Sequence, residues 1–481
     1  MAPDTERSIT SSSATELARN IREGHLTATD AVEAHLHRIA DRDDELNAFI
    51  TVLEDAALEA AAEADRTLEA GDDVGPLHGV PIALKDLGAL KAGVRHTFGC
   101  DLFSSFVAPR TAAIVERLES AGAIVIGKTN TPEFGHAGTT HNNLIGTTGS
   151  PIDPSLNAGG SSGGSAAAVG AGMVPVATGS DAGGSLRIPA TACGIYAIKP
   201  TYGLVPNDSR PNGFGTHLHH STKGPMSRTV EDAARLLEVM AGPHPMDPEC
   251  VPVDLDYLDA AQEPDPDVSI AYSPDLEVFP VVDEVVSVVE GALEDLEAAG
   301  ATIDRVSVDH GCTHEELTGA VETTFSSAIA GGVAVLESTY GVDVTEYPDH
   351  VASSFLRLAD RGAEVSAADV AETGVERTKV FDAVQDVLAS YDLLVTPTVA
   401  RADIARDADV SNEWDLALTW PFNWTGHPAA SVPAGLTDDG GPVGLQLVGQ
   451  RFGDETVLAG SALLERERPW EWLYGFRESE H

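Results

Sequence analysis

Lysine is nearly missing from this chain. Lys85, Lys91, Lys128, Lys199, Lys223 and Lys379 are the whole complement, and Lys and Arg together number 29 against 76 Asp and Glu, a formal net charge of −47. No basic stripe is present to neutralise phosphates, which argues against unaided nucleic-acid binding. Cysteine is also sparse: Cys100, Cys193, Cys250 and Cys312 lie far apart with no C-x-x-C pair. They read as small buried apolar side chains in a reducing compartment. The N-terminus (Met-Ala-Pro-Asp-Thr-Glu-Arg) lacks the apolar stretch of a signal peptide. No uninterrupted apolar run approaches the roughly 20 residues of a membrane span. A soluble, cytoplasmic protein is expected.

What is present fits a globular enzyme. Hydrophobic residues make up 42% of 481 positions, enough to bury a large core. The acidic excess runs along nearly the whole chain rather than sitting in a tail. Combined with so little lysine, it is the composition of proteins adapted to molar salt, where the Debye length shrinks to about 3 Å and self-repulsion is screened.

The pattern along the chain predicts an α/β fold, a large mixed β-sheet covered by helices on both faces. Residues 1–9 read as a flexible end, and 10–475 as a single domain. An N-terminal helical segment of about 14–70 opens with the capping-box spacing of Ser13 and Glu16. A core of about 75–240 alternates short apolar runs (Val80–Leu84, Ile124–Ile126, Pro175–Thr178, Ile195–Ile198) with helices such as Thr111–Ala121 and Val230–Ala241. A variable region of about 245–390 follows, with helices at Val282–Ala299 and Ala367–Ser390, and late strands at Leu393–Thr396, Ala430–Pro433 and Val443–Val448. Pro243–Pro266 reads as a surface excursion.

Two motifs match well-known signatures and lack their context. Gly122-Ala-Ile-Val-Ile-Gly127-Lys128-Thr129 fits the P-loop letters, but its middle is buried-strand composition and Pro132 interrupts the helix that should follow. Gly159-Gly-Ser161-Ser-Gly163 fits a nucleophile elbow, yet the approach from Ser150 to Asn157 is polar and broken by prolines. The His217, His219, His220 cluster has no metal-binding frame around it, so a polar loop is the expected reading. No metal and no cofactor is expected.

Lys85, Ser161 and Ser185 remain. Singly, each has an ordinary reading: a salt bridge to Asp86 or another acid, a glycine-rich loop, a helix N-cap. Lys85, however, ends the apolar run Pro81-Ile-Ala-Leu, where desolvation lowers a lysine pKa. Acting as a base near neutrality needs a drop of about 3 units, a cost of roughly 4 kcal/mol. Glycines around the two serines let backbone amides approach a reacting group closely.

The stretch from Asn157 to Gly203 resembles the signature sequence of the amidase signature enzymes. Further resemblance lies in Gly79–Asp86, Gly127–Phe134, Gly224–Asp232, Gly426–Gly435 and Pro442–Gly449. The likeness spans about residues 14 to 470 and is weakest between about 245 and 390. It implies an amidase hydrolysing a carboxylic amide C–N bond through an acyl-enzyme. The triad would be Ser185 as nucleophile, Ser161 as proton relay after a cis peptide bond, and Lys85 as base. The backbone N–H groups of Ala182, Gly183, Gly184 and Ser185 would form an oxyanion hole. Ser162, Asp181 and Arg187 would support the site, with Ser165 in a lesser part and Arg187 alternatively holding a substrate carboxylate. Lys128, Lys199 and Thr201 would bond backbone around it. Trp420, Phe422, Trp424 and the weakly matched region would line the pocket.

The resemblance extends to the glutaminase component of Glu-tRNA(Gln) or Asp-tRNA(Asn) amidotransferases (their A subunit), which shares the triad and hands ammonia to a partner protein. Three departures favour the free amidase. Thr131-Pro-Glu-Phe-Gly-His136 replaces that component's Asp-Glu-Phe-Ala-Met-Gly, Asn423-Trp-Thr-Gly-His-Pro428 replaces Asn-Leu-Ala-Gly-Leu-Pro, and no counterpart of Arg-Arg-Ile-x-Leu-Gly occurs around 340–380. The expected partner is a small-molecule amide, with a homodimer left open. A non-catalytic scaffold is the remote third reading.

Overall fold

The computed structural model describes residues 3–214, 220–252, 256–408, 410 and 414–474. Their centre is one mixed sheet of 11 strands: β1 (Phe49–Val52), β2 (Pro81–Lys85), β3 (Ile124–Thr129), β4 (Val176–Asp181), β5 (Tyr196–Lys199), β6 (Thr222–Ser227), β7 (Ser269–Tyr272), β8 (Thr302–Arg305), β9 (Leu393–Pro397), β10 (Ala429–Leu436) and β11 (Pro442–Val448). The order across the sheet is β1-β3-β2-β4-β6-β5-β10-β11-β9-β7-β8. Strands β3, β2 and β4 run parallel, as do β9, β7 and β8, and the ladders between these groups are antiparallel. Covered on both faces, β2 and β3 are buried at every residue, which explains their uninterrupted apolar reading in the sequence.

Parallel strands need crossovers. Helices Ala113–Ser120 and Gly163–Gly170 supply them for β2 to β3 and β3 to β4. The glycines and alanines of Gly163–Gly170 are all buried, and a Cβ on Gly164 would meet the Asn130 backbone N at 2.3 Å. Small residues are what let this helix lie directly against the chain leaving β3. At the N-terminus the capping box of Ser13 and Glu16 forms as expected. The polar end read as flexible instead opens with a helix, Pro3–Ser11, whose Ile9 joins the core.

Four strands escaped the sequence reading. Thr222-Lys-Gly-Pro-Met-Ser227 carries Gly224 and Pro225 in mid-strand, which normally argues against a central position. Here β6 is fully buried between β4 and β5. Strand β8 is mostly exposed and ends in Asp304 and Arg305, charges suited to a sheet edge. The excursion Pro243–Pro266 contains a short helix, Tyr257–Gln262, with Tyr257 buried. Helix His314–Tyr340 is by length and composition able to cross a membrane, and it packs along Ser353–Glu364 and Ala367–Leu388.

Candidate active site

Lys85 is the last residue of β2, and Ser180 and Asp181 end β4 beside it. The site thus opens at the carboxyl ends of neighbouring parallel strands, where α/β sheets hold their ligands. Lys85 is 1% exposed. Its Nζ donates to Ser161 Oγ at 2.7 Å and to Ser180 Oγ at 3.0 Å. Burial lowers its pKa to about 7, against a smaller opposing pull from Asp181. The salt bridge to Asp86 that would make Lys85 structural does not form. Asp86 instead accepts from Thr97 (2.7 and 2.6 Å) and faces His96 and Lys128.

Three other buried lysines are also lowered by burial: Lys128 to about 8, Lys199 to about 7, and Lys223, which donates to Pro206 O at 3.4 Å. What separates Lys85 is its partners. Lys128 donates to Ala89 O, and Lys199 to Pro200 O at 3.0 Å. All three hold carbonyl oxygens, which demand a donor, whereas Lys85 faces hydroxyls that can give or take a proton. Ser180 carries no sequence signal of its own, since only the pairing of β4 with β2 brings it to Lys85.

The Gly160–Ser161 peptide bond is cis. Ser162 N–H donates to Ser185 O at 3.2 Å, which ties the two serine-bearing segments together. Ser162 Oγ lies 3.3 Å from both the O and N of Ser180, and Ser165 Oγ donates to Thr178 O at 2.9 Å. Both therefore brace β4.

The segment after β4 is held by a saturated ion pair. Asp181 and Arg187 are fully buried. Arg187 donates from Nε and Nη2 to the Asp181 carboxylate, each at 3.0 Å. Its remaining hydrogens reach Asn423 Oδ1 (2.6 Å), Gln446 Oε1 (2.7 Å) and Thr419 O (2.9 Å). Burial alone would raise the Asp181 pKa, but the guanidinium and the Asn423 amide hold it well below the carboxylate range. With every donor occupied, Arg187 is not available for a substrate carboxylate. Asn423, Gln446 and Thr419 were missed by sequence reasoning because they arrive from the far end of the chain.

Asp181 also corrects the expected amide set. Gly184 N–H donates to Asp181 Oδ1 at 2.6 Å and is turned away from the cavity. Gly184 sits at φ 131°, and a Cβ there would come within 2.1 Å of Thr419 Oγ1, so only glycine fits. The N–H groups of Ala182, Gly183 and Ser185 have no acceptor among the described residues, and these three residues line the cavity.

That cavity encloses about 800 Å3, part of it open to solvent. Its floor is Ala182, Gly183 and half-buried Ser185. Its walls are mostly apolar: Ile188, Phe325, Val399, Ile404, Leu416, Trp414 and Trp420, with His136 and Arg401 at the polar side. Phe325 lies between His220 (ring centres 5.3 Å apart, stacked) and Trp414 (4.6 Å). A Cβ on Gly183 would sit 3.0 Å from its Cζ. Of the expected pocket residues, Trp420 lines this cavity, while Phe422 is buried behind it and Trp424 faces a separate recess.

The two signature matches fall where their context suggested. Ile124–Thr129, the heart of the P-loop match, is a buried strand. The chain entering Ser161 is not a strand. Thr201 bonds the Asp454 carboxylate (2.8 and 2.6 Å), and its Oγ1 also accepts from the backbone N–H of Phe452 at 3.0 Å, the backbone contact expected of it. His217 and His219 lie outside the described residues, and His220 packs beneath Phe325. Among the described residues no group of three or more His, Cys, Asp or Glu side chains could hold a metal ion.

Comparison with known proteins identifies the family. The Amidase family matches residues 30–458. The chain is 34% identical to an acylamidase of Rhodococcus erythropolis over 97% of both proteins. It is also 34% identical to the A subunit of the glutamyl-tRNA(Gln) amidotransferase of Thermosynechococcus vestitus, over 95% of this chain and 98% of that one. Among solved structures, a bacterial aryl acylamidase of the amidase signature family superimposes with a TM-score of 0.89 at 32% identity, covering 97% of this chain and 98% of the other. With sequence and fold matched over nearly its whole length, the chain belongs to the amidase signature family and is an amidase.

Proposed function

We propose that Lys85, Ser161 and Ser185 hydrolyse a carboxylic amide through an acyl-enzyme. The observation that carries this reading is the 2.7 Å hydrogen bond from Lys85 Nζ to Ser161 Oγ, in a buried site that brings the lysine pKa to about 7. Ser185 Oγ attacks the amide carbon. Its proton passes to Ser161 Oγ as the Ser161 proton passes to neutral Lys85 Nζ. The tetrahedral oxyanion takes hydrogen bonds from the Ala182, Gly183 and Ser185 amides, placed in advance where charge develops. Collapse breaks the C–N bond, and the departing nitrogen takes its proton back from Lys85 along the same relay. Water then attacks the Ser185 ester by the reverse path and frees the acid.

The substrate this cavity suits is an amide with an apolar or aromatic acyl or amine portion, because aromatic and aliphatic side chains dominate the walls. The acid excess is read as adaptation to molar salt, so turnover is expected to need it. The test is a screen at high salt against aliphatic, aryl and cyclic amides, nitrophenyl esters and glutamine. Turnover of aryl or apolar amides with poor use of glutamine is expected. Ammonia release from glutamine as the main activity, with a co-purifying partner protein, would replace this reading with the glutaminase component of an amidotransferase, which the 34% identity to such proteins keeps in play. Absence of turnover across the panel would favour a scaffold.

A further inference from the structure

We propose that the recess between Arg377 and Arg451 is a second ligand site, one that takes a carboxylate or phosphate group carried on an apolar body. The recess encloses about 620 Å3, again partly open to solvent, and shares no lining residue with the catalytic cavity. Helix Ala367–Leu388 contributes Arg377 and Phe381, the chain after β11 contributes Arg451, and the chain after β5 contributes Tyr202. Trp424 and Gly426 close it from the end of helix Trp420–Thr425.

The two guanidiniums lack the partners that arginines in this chain readily find. Arg377 donates from Nε to Trp424 O at 2.6 Å, which aims its head group, and its two terminal nitrogens have no acceptor among the described residues. Arg451 has no hydrogen bond or ion pair among the described residues, and its guanidinium lies 5.3 Å over the Phe452 ring. Among the described residues no acidic side chain lines the recess. Behind the lining, the Tyr202 hydroxyl donates to Glu249 at 2.5 Å.

In a chain carrying 76 acidic residues, two like charges on one recess with no carboxylate between them are conspicuous. Burial and then the charge of Arg451 both push the Arg377 pKa down, so the two guanidiniums repel one another. An oxyanion relieves that repulsion and matches guanidinium geometry. The walls, Tyr202, Phe381 and Trp424, give an apolar body somewhere to lie. Trp424 packs edge-on against Trp420 at 5.5 Å, so an occupant would border the wall of the catalytic cavity without entering it.

The test compares thermal transitions and titration calorimetry of the intact protein in phosphate, benzoate and chloride at matched ionic strength. The wild type is expected to be stabilised by at least one of the two oxyanions beyond chloride, and the better of them assigns the head group. Arg451→Gln, at an exposed residue with no hydrogen bond to lose, is expected to weaken that binding about 10-fold, and Arg377→Gln with Arg451→Gln to abolish it. No stabilisation by either oxyanion, or binding unchanged in Arg451→Gln, would overturn the site. Benzoate binding that survives the substitutions would mark occupancy of the catalytic cavity instead and would count against it equally.

Discussion

The floor and the walls of the catalytic cavity are built on opposite plans. The polar groups that brace the floor from beneath are matched to partners, while the Ala182, Gly183 and Ser185 amides have no acceptor among the described residues. Arg187 spends all its donors on Asp181, Asn423, Gln446 and Thr419, and Thr419 Oγ1 fixes the Gly183 carbonyl at 2.7 Å. The walls are held by ring contacts and apolar packing, with Phe325 reaching in from helix His314–Tyr340 and Trp414 and Trp420 from the segment that precedes β10. Hydrogen-bond networks fix position but tolerate little change. Apolar walls admit substitution at modest cost. Reaction chemistry is therefore fixed by the floor, while substrate choice rests with the walls.

Several measurements would break or sharpen that contrast. Ser185→Ala is expected to lower turnover by at least about 10^3-fold while the fold, read by circular dichroism and thermal melting, is kept; normal turnover would discard the assignment. Lys85→Ala should be comparably severe and Ser161→Ala somewhat less so. Arg187→Met leaves Asp181 charged and unpaired in the interior, which should cost about 3–5 kcal/mol in denaturant unfolding. A loss near zero would mean that the floor is as tolerant as the walls.

The pH profile follows from Lys85. In the proposed mechanism the base must be neutral, and lowering pH protonates it, so kcat/KM should rise with pH and level off above about 7. Below that it should fall about tenfold per pH unit. A flat profile between pH 5 and 8 (about two units below and one above) would remove Lys85 as the titrating base. The smallest effect is expected at the wall: Phe325→Ala should raise kcat/KM for bulkier acyl amides relative to small ones by about 10-fold. An equal drop for all substrates would instead make Phe325 part of the floor.

The same contrast governs what could be read from sequence. Lys85, Ser161 and Ser185 stood out because an apolar strand end and glycine-rich turns are local features. Seven of the 15 described α-helices and seven of the 11 strands were legible for the same reason. Ser180, Asn423, Gln446 and Phe325 were not, because their positions depend on which strands become neighbours. Strand β6 was hidden by Gly224 and Pro225, whose β propensity is overridden by burial between β4 and β5. Arg187 shows a subtler limit. Sequence placed it beside the nucleophile, but only the geometry shows a saturated brace in place of a substrate contact.

That brace has a consequence for how the enzyme comes into being. Ser185 leaves the ribosome long before Thr419, Asn423 and Gln446, and the ladder joining β5 to β10 closes only once Ala429–Ser431 has been made. A nascent chain thus carries Ser185, the proposed nucleophile, through most of synthesis with Arg187 unbraced and the cavity lacking Trp414 and Trp420. Hydrolytic power arrives last, with the final strands. A chain stopped at Leu418 should bear Lys85, Ser161 and Ser185 and still leave every amide it meets intact.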